Sequence, residues 1–364
     1  MVRTPLAGNH LERGAALLTY HGAEVPAHFG DAVEEHRTVR ASAGLFDFSF
    51  RSKFTLTGEH RVRFMHRIVS NDIRGLKTGE GRYALLLSAQ GRILADLRVY
   101  ADEDRLWVDT DADLRDKAME LLRRYVIGDR VEIVPAEVFA LSLQGPGSRK
   151  ALQDLLAASV DALEHEMDHR TVDCGGRPVR VVRLSSTGEE GYEFWLDSAA
   201  LGNLWRAANA ARAAVLCGSL ALESLRIEAG IPRYGPDFGE DTLPLEAGLW
   251  NALSFNKGCY IGQEIVERAR SRGHVNWKLM GLGLEAGAKV PAPGEPLTVD
   301  GKAVGEVTSA CWSPTLGRTL ALAYVRREVA EPGTRLALGS GARGDVASLP
   351  FIGPGEFHAA TAVK

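Results

Sequence analysis

The feature that most limits the fold is a change of texture near Gly273. Before it, helical and strand-like patterns alternate; after it, short apolar runs are cut every few residues by glycine or proline. On the N-terminal side, Val62, Met65 and Val69 fall at helical spacing within 59–70. Leu114, Ala118, Leu121, Leu122 and Tyr125 stripe a second helix over 113–126, with Gly128 as its stop. Between them, 83–87 and 94–100 read as strands joined through Gln90-Gly91, and 106–109 continues after the acidic turn Asp102-Glu103-Asp104. Strands at 179–184 and 192–196 and helices at 198–215 and 219–228 echo this alternation without a fixed sequence period. The runs 278–284, 296–299, 305–309, 319–325 and 335–338 have the length and turn residues of a small β-barrel. The expected architecture is α+β, with two interleaved α+β subdomains over 1–273 and a barrel over 274–364 that ends in a poorly ordered tail from 337 onward.

A chain of 364 residues has room for two or three domains with sizeable cores. With 45% hydrophobic and 25% charged residues and a net charge of −4, it lacks the basic field of a general nucleic-acid binder. Four cysteines, Cys174, Cys217, Cys259 and Cys311, are scattered without paired spacing, which predicts reduced thiols in the cytoplasm and no disulfide framework or structural zinc. The N-terminus has no secretory apolar core, and no apolar stretch approaches the ~20 residues of a membrane span.

The octet Lys257-Gly258-Cys259-Tyr260-Ile261-Gly262-Gln263-Glu264 sets one cysteine between two glycines, ahead of a basic amphipathic helix expected over 261–270. A thiol at a helix N-terminus lies at the positive end of the macrodipole, and Lys257 with the nearby arginines adds potential that favours thiolate. The plain alternative is a packing cysteine in a Lys-Gly turn. The basic run over 267–274 would ordinarily be a solvated face; directly after this loop it can hold an anionic tail such as polyglutamate.

Three further groups of residues point to a site. Glu193 follows the turn Thr187-Gly188-Glu189-Glu190-Gly191 and precedes Phe194-Trp195, where an acid suits a cleft that accepts the paired N–H donors of a heterocycle such as a pterin. Glu189 and Glu190 read as solvated turn acids. Asp96 interrupts an apolar strand, either as ordinary alternation or as a carboxylate placed to take a proton or steady a developing cation. The run 225–235 ends a helix at Gly230: Arg226 and Glu228 read as partners of surface charges, whereas Arg233 and Tyr234 sit in a glycine-proline loop of the kind that lines pockets. His165 and His169, with Cys174, have an i, i+4 spacing known from zinc sites, but the flanking Glu164, Glu166, Asp168 and Arg170 mark a solvated helix face, and no metal is expected.

Together these segments resemble the folate-binding family of the glycine-cleavage T-protein (aminomethyltransferase), and more narrowly its YgfZ-type branch. The resemblance also runs through Gly44-Leu45-Phe46-Asp47-Phe48-Ser49, Val69-Ser70-Asn71-Asp72-Ile73, and Gly305 to Ser309 with Ser313 to Gly317. It implies a clover of α+β units around a folate channel plus a C-terminal barrel, with tetrahydrofolate as cofactor. Carried residue by residue, Glu193 would grip the pterin, Arg226 would belong to the folate site and Asp96 would lie near the reactive nitrogens. Tyr83, Lys257, Tyr260 and Arg233 complete the expected cofactor-binding set. T-proteins carry a tyrosine where this chain has Ser186, so one ring contact is missing or supplied from elsewhere. T-proteins also resemble the octet only as Lys-x-Asp-Phe-Ile-Gly, whereas Lys-Gly-Cys-Tyr-x-Gly-Gln-Glu is the YgfZ-type signature. That branch implies a role in assembling or repairing iron–sulfur clusters in other enzymes, with Cys259 as a reactive thiol facing the folate channel and iron–sulfur enzymes or assembly proteins as partners. The alternative is a tetrahydrofolate-dependent aminomethyltransferase or demethylase that uses Asp96, and a folate-binding module without chemistry is a third. No nucleic-acid or membrane partner is expected.

Overall fold

The structure, a computed structural model, describes residues 2–211, 214–271, 273 and 275–353. It divides into two compact units that interleave along the chain. The first comprises Met1–Leu86, Ala95–Leu222 and Ala252–Ile261, and the second Leu87–Leu94, Glu223–Asn251 and Gly262–Lys364.

Two larger sheets form the body of the first unit. One has five strands in the order Gly81–Leu87, Ile93–Ala101, Leu106–Asp111, Arg51–Thr57, Glu132–Ala136. Period-two alternation sends Phe54, Leu56, Leu97, Val99 and Val108 to one buried face, and helix Arg115–Arg123 packs against strand Arg51–Thr57. The other has six strands in the order His169–Asp173, Pro178–Arg183, Gly191–Leu196, Phe139–Gln144, Gly44–Asp47, Val215–Cys217. Its face of Leu141, Leu143, Val179, Val181, Tyr192 and Phe194 is buried with Leu152, Leu201, Leu204 and Trp205 from helices Ser148–Leu156 and Ser198–Ala211. The same alternation turns Glu193 and Trp195 to the opposite face. A small sheet of Val2–Arg3, Ala23–His28 and Ala16–Tyr20 completes the unit's sheets.

The second unit holds a closed six-stranded barrel in the order Trp277–Leu284, Arg318–Arg326, Lys302–Ser313, Pro296–Val299, Arg335–Leu338, Arg343–Ala347. Leu282, Leu284, Leu297, Val307, Ala323, Val325 and Leu336 fill its core. A second cluster joins Ile227, from helix Ser219–Glu228, to Leu279, Leu320 and Leu322.

The fold is α+β with a C-terminal barrel, as the alternation predicts, and the corrections are local. The helix expected over 59–70 spans Arg61–Ile68, because Ser70 leaves it to exchange hydrogen bonds with Leu85. Its buried residues include Phe64, Met65 and Ile68, not Val62. The helix expected over 198–215 ends at Ala211, and Val215–Cys217 is a strand parallel to Gly44–Asp47. The tail predicted from 337 hides the strand Arg343–Ala347 that closes the barrel. Its glycine is a packing requirement, since a Cβ on Gly344 would lie 2.9 Å from Leu282 Cγ. Residues 354–364 lie outside the described residues. Among the described residues, no helix is long and apolar enough to cross a membrane.

Candidate functional site

Asp96, Tyr83, Glu193, Lys257, Cys259 and Tyr260 all belong to the first unit. Asp96 stands on strand Ile93–Ala101, is buried, and accepts a hydrogen bond from the Tyr83 hydroxyl to Oδ2 at 3.1 Å. Its other oxygen, Oδ1, is buried without a hydrogen-bond partner. Burial, followed by repulsion from Asp111, raises the Asp96 carboxyl above its usual range, and Arg51 and Arg98 offset only part of this. Burial and the Asp96 charge likewise push the Tyr83 phenol well up, so it remains a hydrogen-bond donor at neutral pH.

These groups lie within a polar ladder on one face of the five-stranded sheet. Arg51 pairs in register with Asp111, and Lys53 and Arg98 pair with Asp109. The Arg51 guanidinium donates to Asp109 Oδ2 at 2.7 Å and to Asp111, while Lys53 Nζ lies 3.2 Å from Asp109 Oδ1. Burial opposes ionisation of Asp109, but Arg51, Lys53 and Arg98 outweigh it and hold the carboxyl below the usual range. Asp111 is likewise depressed, its burial outweighed by Arg51 and by His21, whose Nδ1 is 2.6 Å away.

Arg98 extends the ladder to the six-stranded sheet, donating to Glu193 Oε1 at 3.2 Å. Trp195 Nε1 donates to Glu193 Oε2 at 3.1 Å. Glu193 is 0% exposed, and each of its oxygens keeps one lone pair beyond these bonds. The adjoining turn is tightly held. Gln144 accepts from the Ser186 N–H, and Arg40 donates to the Thr187 carbonyl and to Glu189. Glu189 is therefore a buried ion-pair partner, not a solvated acid, and Glu190 takes Arg149 at 2.7 Å.

The octet differs from its expected geometry. Helix Gln263–Ser271 begins four residues after Cys259, beyond the first turn over which a macrodipole acts strongly. Lys257 is buried and directs its ammonium to the carbonyls of His66, Val69 and Asn71, the last at 3.0 Å. All three of its donors are thus used on the C-terminal end of helix Arg61–Ile68 and the loop after it, and the expected support of a thiolate by Lys257 gives way to a backbone clamp. Burial lowers its pKa to about 8, against the pull of Asp72. The Tyr260 ring is buried 5.0 Å from the ammonium, while Cys259 is exposed and is not a core packing residue.

One run of hydrogen bonds joins the two parts of the site. The Tyr83 hydroxyl reaches Asp96, the Tyr83 carbonyl accepts from Asn71 Nδ2 at 2.9 Å, and the Asn71 carbonyl accepts from Lys257. Asn71 belongs to the Val69-Ser70-Asn71-Asp72 segment, whose Ser70 also donates to the Ala252 carbonyl at 2.6 Å.

Arg226 and Arg233 belong to the second unit. Arg226 donates to Glu223 through two nitrogens, to the Ile231 carbonyl, to Asp237 at 2.7 Å and to Ser309 at 2.8 Å. These contacts use all five of its donors, so a ligand carboxylate must displace one of them. Arg233 lies 3.2 Å from Glu223, and its backbone N–H donates to Asp237. In the basic run, Arg268 pairs with Glu264 and Arg270 with Glu267, and Arg272 and His274 fall outside the described residues. His165 and His169 share no helix: His169 is the buried first residue of the strand His169–Asp173 and His165 is exposed in the preceding turn, so the expected solvated helix face is absent.

Sequence reasoning missed Arg51, Lys53, Arg98, Asp109 and Asp111. Their signal is charge at period two, with the basic pair Arg51 and Lys53 on one strand and the acidic pair Asp109 and Asp111 on another.

An α+β region followed by a closed barrel is the architecture of the glycine-cleavage T-protein fold. Residues 6–257 match the GCVT N-terminal domain, and 278–352 match the glycine cleavage T-protein C-terminal barrel domain. The chain is similar to the aminomethyltransferase of Symbiobacterium thermophilum, with 34% identity and 96% of each chain covered. It is 32% identical to that of Bacillus subtilis, over 91% of this chain and 93% of the relative. The structure resembles the crystal structure of glycine cleavage system aminomethyltransferase T from Bartonella henselae, with TM-score 0.90, 26% identity, and 97% of this chain and 98% of that one covered. The chain belongs to the glycine-cleavage T-protein family. That family uses tetrahydrofolate as its substrate or cofactor.

Proposed function

We propose that this chain binds tetrahydrofolate through the unit that carries Asp96 and Glu193 and transfers a one-carbon unit to or from it, as an aminomethyltransferase or related demethylase does. The observation that carries this reading is the orphaned Asp96 Oδ1. A buried acceptor without a donor costs about 1–3 kcal/mol, which a ligand N–H can return. Tetrahydrofolate offers such donors on its reduced pterin and, when bound, supplies the nitrogens that carry the one-carbon unit. The residues present therefore fit the group. Asp96, held toward its protonated form and oriented by Tyr83, can give or take a proton at Oδ1. Glu193, fixed by Arg98 and Trp195, keeps acceptor capacity for paired N–H groups. The names of its relatives support this reading, and four free thiols suit a cytoplasmic setting.

A second reading has its own observation. Cys259 is exposed within the YgfZ-type octet, at the place where T-proteins resemble it only as Lys-x-Asp-Phe-Ile-Gly. On this reading the chain binds the same folate and supports the assembly or repair of iron–sulfur clusters in other enzymes. One experiment separates the two: purified protein is given tetrahydrofolate and an aminomethylated lipoyl carrier, and methylenetetrahydrofolate is measured for wild type, Asp96→Asn and Cys259→Ser. Turnover lost in Asp96→Asn and kept in Cys259→Ser supports the transferase. No turnover, together with iron–sulfur enzyme activity in cells that depends on Cys259, supports the second reading. Absence of tetrahydrofolate binding by calorimetry would sink both.

A further inference from the structure

We propose that Lys257 is the positioning residue of Cys259: its ammonium latches the loop over 257–260 onto the C-terminal end of helix Arg61–Ile68, so that the thiol is presented on a fixed backbone. The proposal deepens the second functional reading and rests on it only for the meaning of the thiol. Burial alternates along the loop, with Lys257 and Tyr260 buried and Gly258 and Cys259 exposed between them. Both buried residues are tied to the same charge, since the ammonium meets three carbonyls on one side and lies 5.0 Å from the Tyr260 ring on the other. The carbonyls of His66 and Val69 are those a helix end leaves unpaired, so a cation there both bonds them and answers the helix dipole. A lysine serving to ionise the thiol would turn its nitrogen toward the sulfur and leave those carbonyls to water. The third carbonyl, of Asn71, ties the latch to Tyr83 and hence to Asp96.

The test uses the full chain with Lys257→Met, which keeps the aliphatic stem and removes the donors, and with Lys257→Arg, which keeps charge and donors. Backbone amide exchange is read at 258–260 and at 66–71. In Lys257→Met both segments should exchange at least about tenfold faster than in wild type while the remaining amides keep their protection, and Lys257→Arg should restore most of the difference. Charged and titratable neighbours of the ammonium are His66 at the end of the helix and Asp72 and Arg74 in the loop after it. Because burial lowers the Lys257 pKa to about 8, the closed loop holds this proton less tightly than an open one, so raising pH through that value should not loosen the latch, and the exchange ratio of Lys257→Met to wild type should persist or grow above it. Packing by the stem alone would leave Lys257→Met like wild type at every pH, and that result overturns the proposal. If Cys259→Ser instead keeps full function in cells, the reading of the thiol fails while the exchange data still decide the latch.

Discussion

Asp96 is held at a cost that its surroundings make visible. Burial and the neighbouring Asp111 raise its pKa above 3.8, so the folded chain holds this proton more tightly than the unfolded chain does. The cost of ionising it is absent below 3.8 and fully present once pH exceeds the raised value. Asp96→Asn removes that cost. The variant should therefore melt at or above the wild-type midpoint at pH 7, and its advantage should shrink as pH falls through the window just above 3.8. The same change removes the proton-carrying oxygen, and one-carbon transfer should drop by roughly 10²–10⁴-fold, the usual contribution of a general acid or base. Urea melts at several pH values and single-turnover kinetics check the two halves. A variant less stable at pH 7 with unchanged turnover would mean that Asp96 is a structural carboxylate.

At the scale of elements, the paired strands Arg51–Thr57 and Leu106–Asp111 carry their charges as a set. Asp109 is 0% exposed and faces Arg51, Lys53 and Arg98 together. Asp109→Asn leaves those cations buried with too little countercharge and should destabilise the fold by about 3–5 kcal/mol at neutral pH. Asp109 is depressed below 3.8, so its contribution is present above that value and fades as pH falls through the lower folded-state pKa. The gap between wild type and variant in denaturant melts should close in that acid range. These strands also show where the sequence stops being legible. Glu193 and Asp96 are legible because each is a lone acid in an apolar strand. Arg51 with Lys53, and Asp109 with Asp111, read as ordinary solvent faces until the register sets 51 against 111 and 53 against 109. The latch is illegible for the same reason: Lys257 finds its partners at 66, 69 and 71, and nothing local in the octet points there.

For the molecule as a whole, the change of texture near Gly273 marks the barrel, and the barrel's unit also takes in chain from well before it. Ile227 packs with Leu279, Leu320 and Leu322. Asp237 accepts from Thr308 and Ser309, both at 2.6 Å, while holding Arg226. Glu228 accepts from Ser313, from Thr315 Oγ1 at 2.9 Å and from the backbone N–H of Thr315. Residues 226–237 thus contribute buried charges whose partners lie on the strand Lys302–Ser313 and the turn that follows it. A chain cut after 273 strands these groups: the N-terminal fragment keeps Glu228 and the Arg226–Asp237 pair without their hydroxyl partners, and the C-terminal fragment exposes the Leu279, Leu320 and Leu322 patch. Each buried polar group left without its partner costs on the order of 1–3 kcal/mol, and a charged one more, a large share of the roughly 5–15 kcal/mol that stabilises a typical protein. The fragment 1–273 should therefore lose cooperative melting in 223–251 and bind a hydrophobic dye. Co-expression with 274–364 should restore both the melt and the protection of those residues. A lone 1–273 fragment that melts within a few degrees of the full chain, with 223–251 protected from exchange, would show that this segment needs no barrel and that the sequence boundary is also the folding boundary.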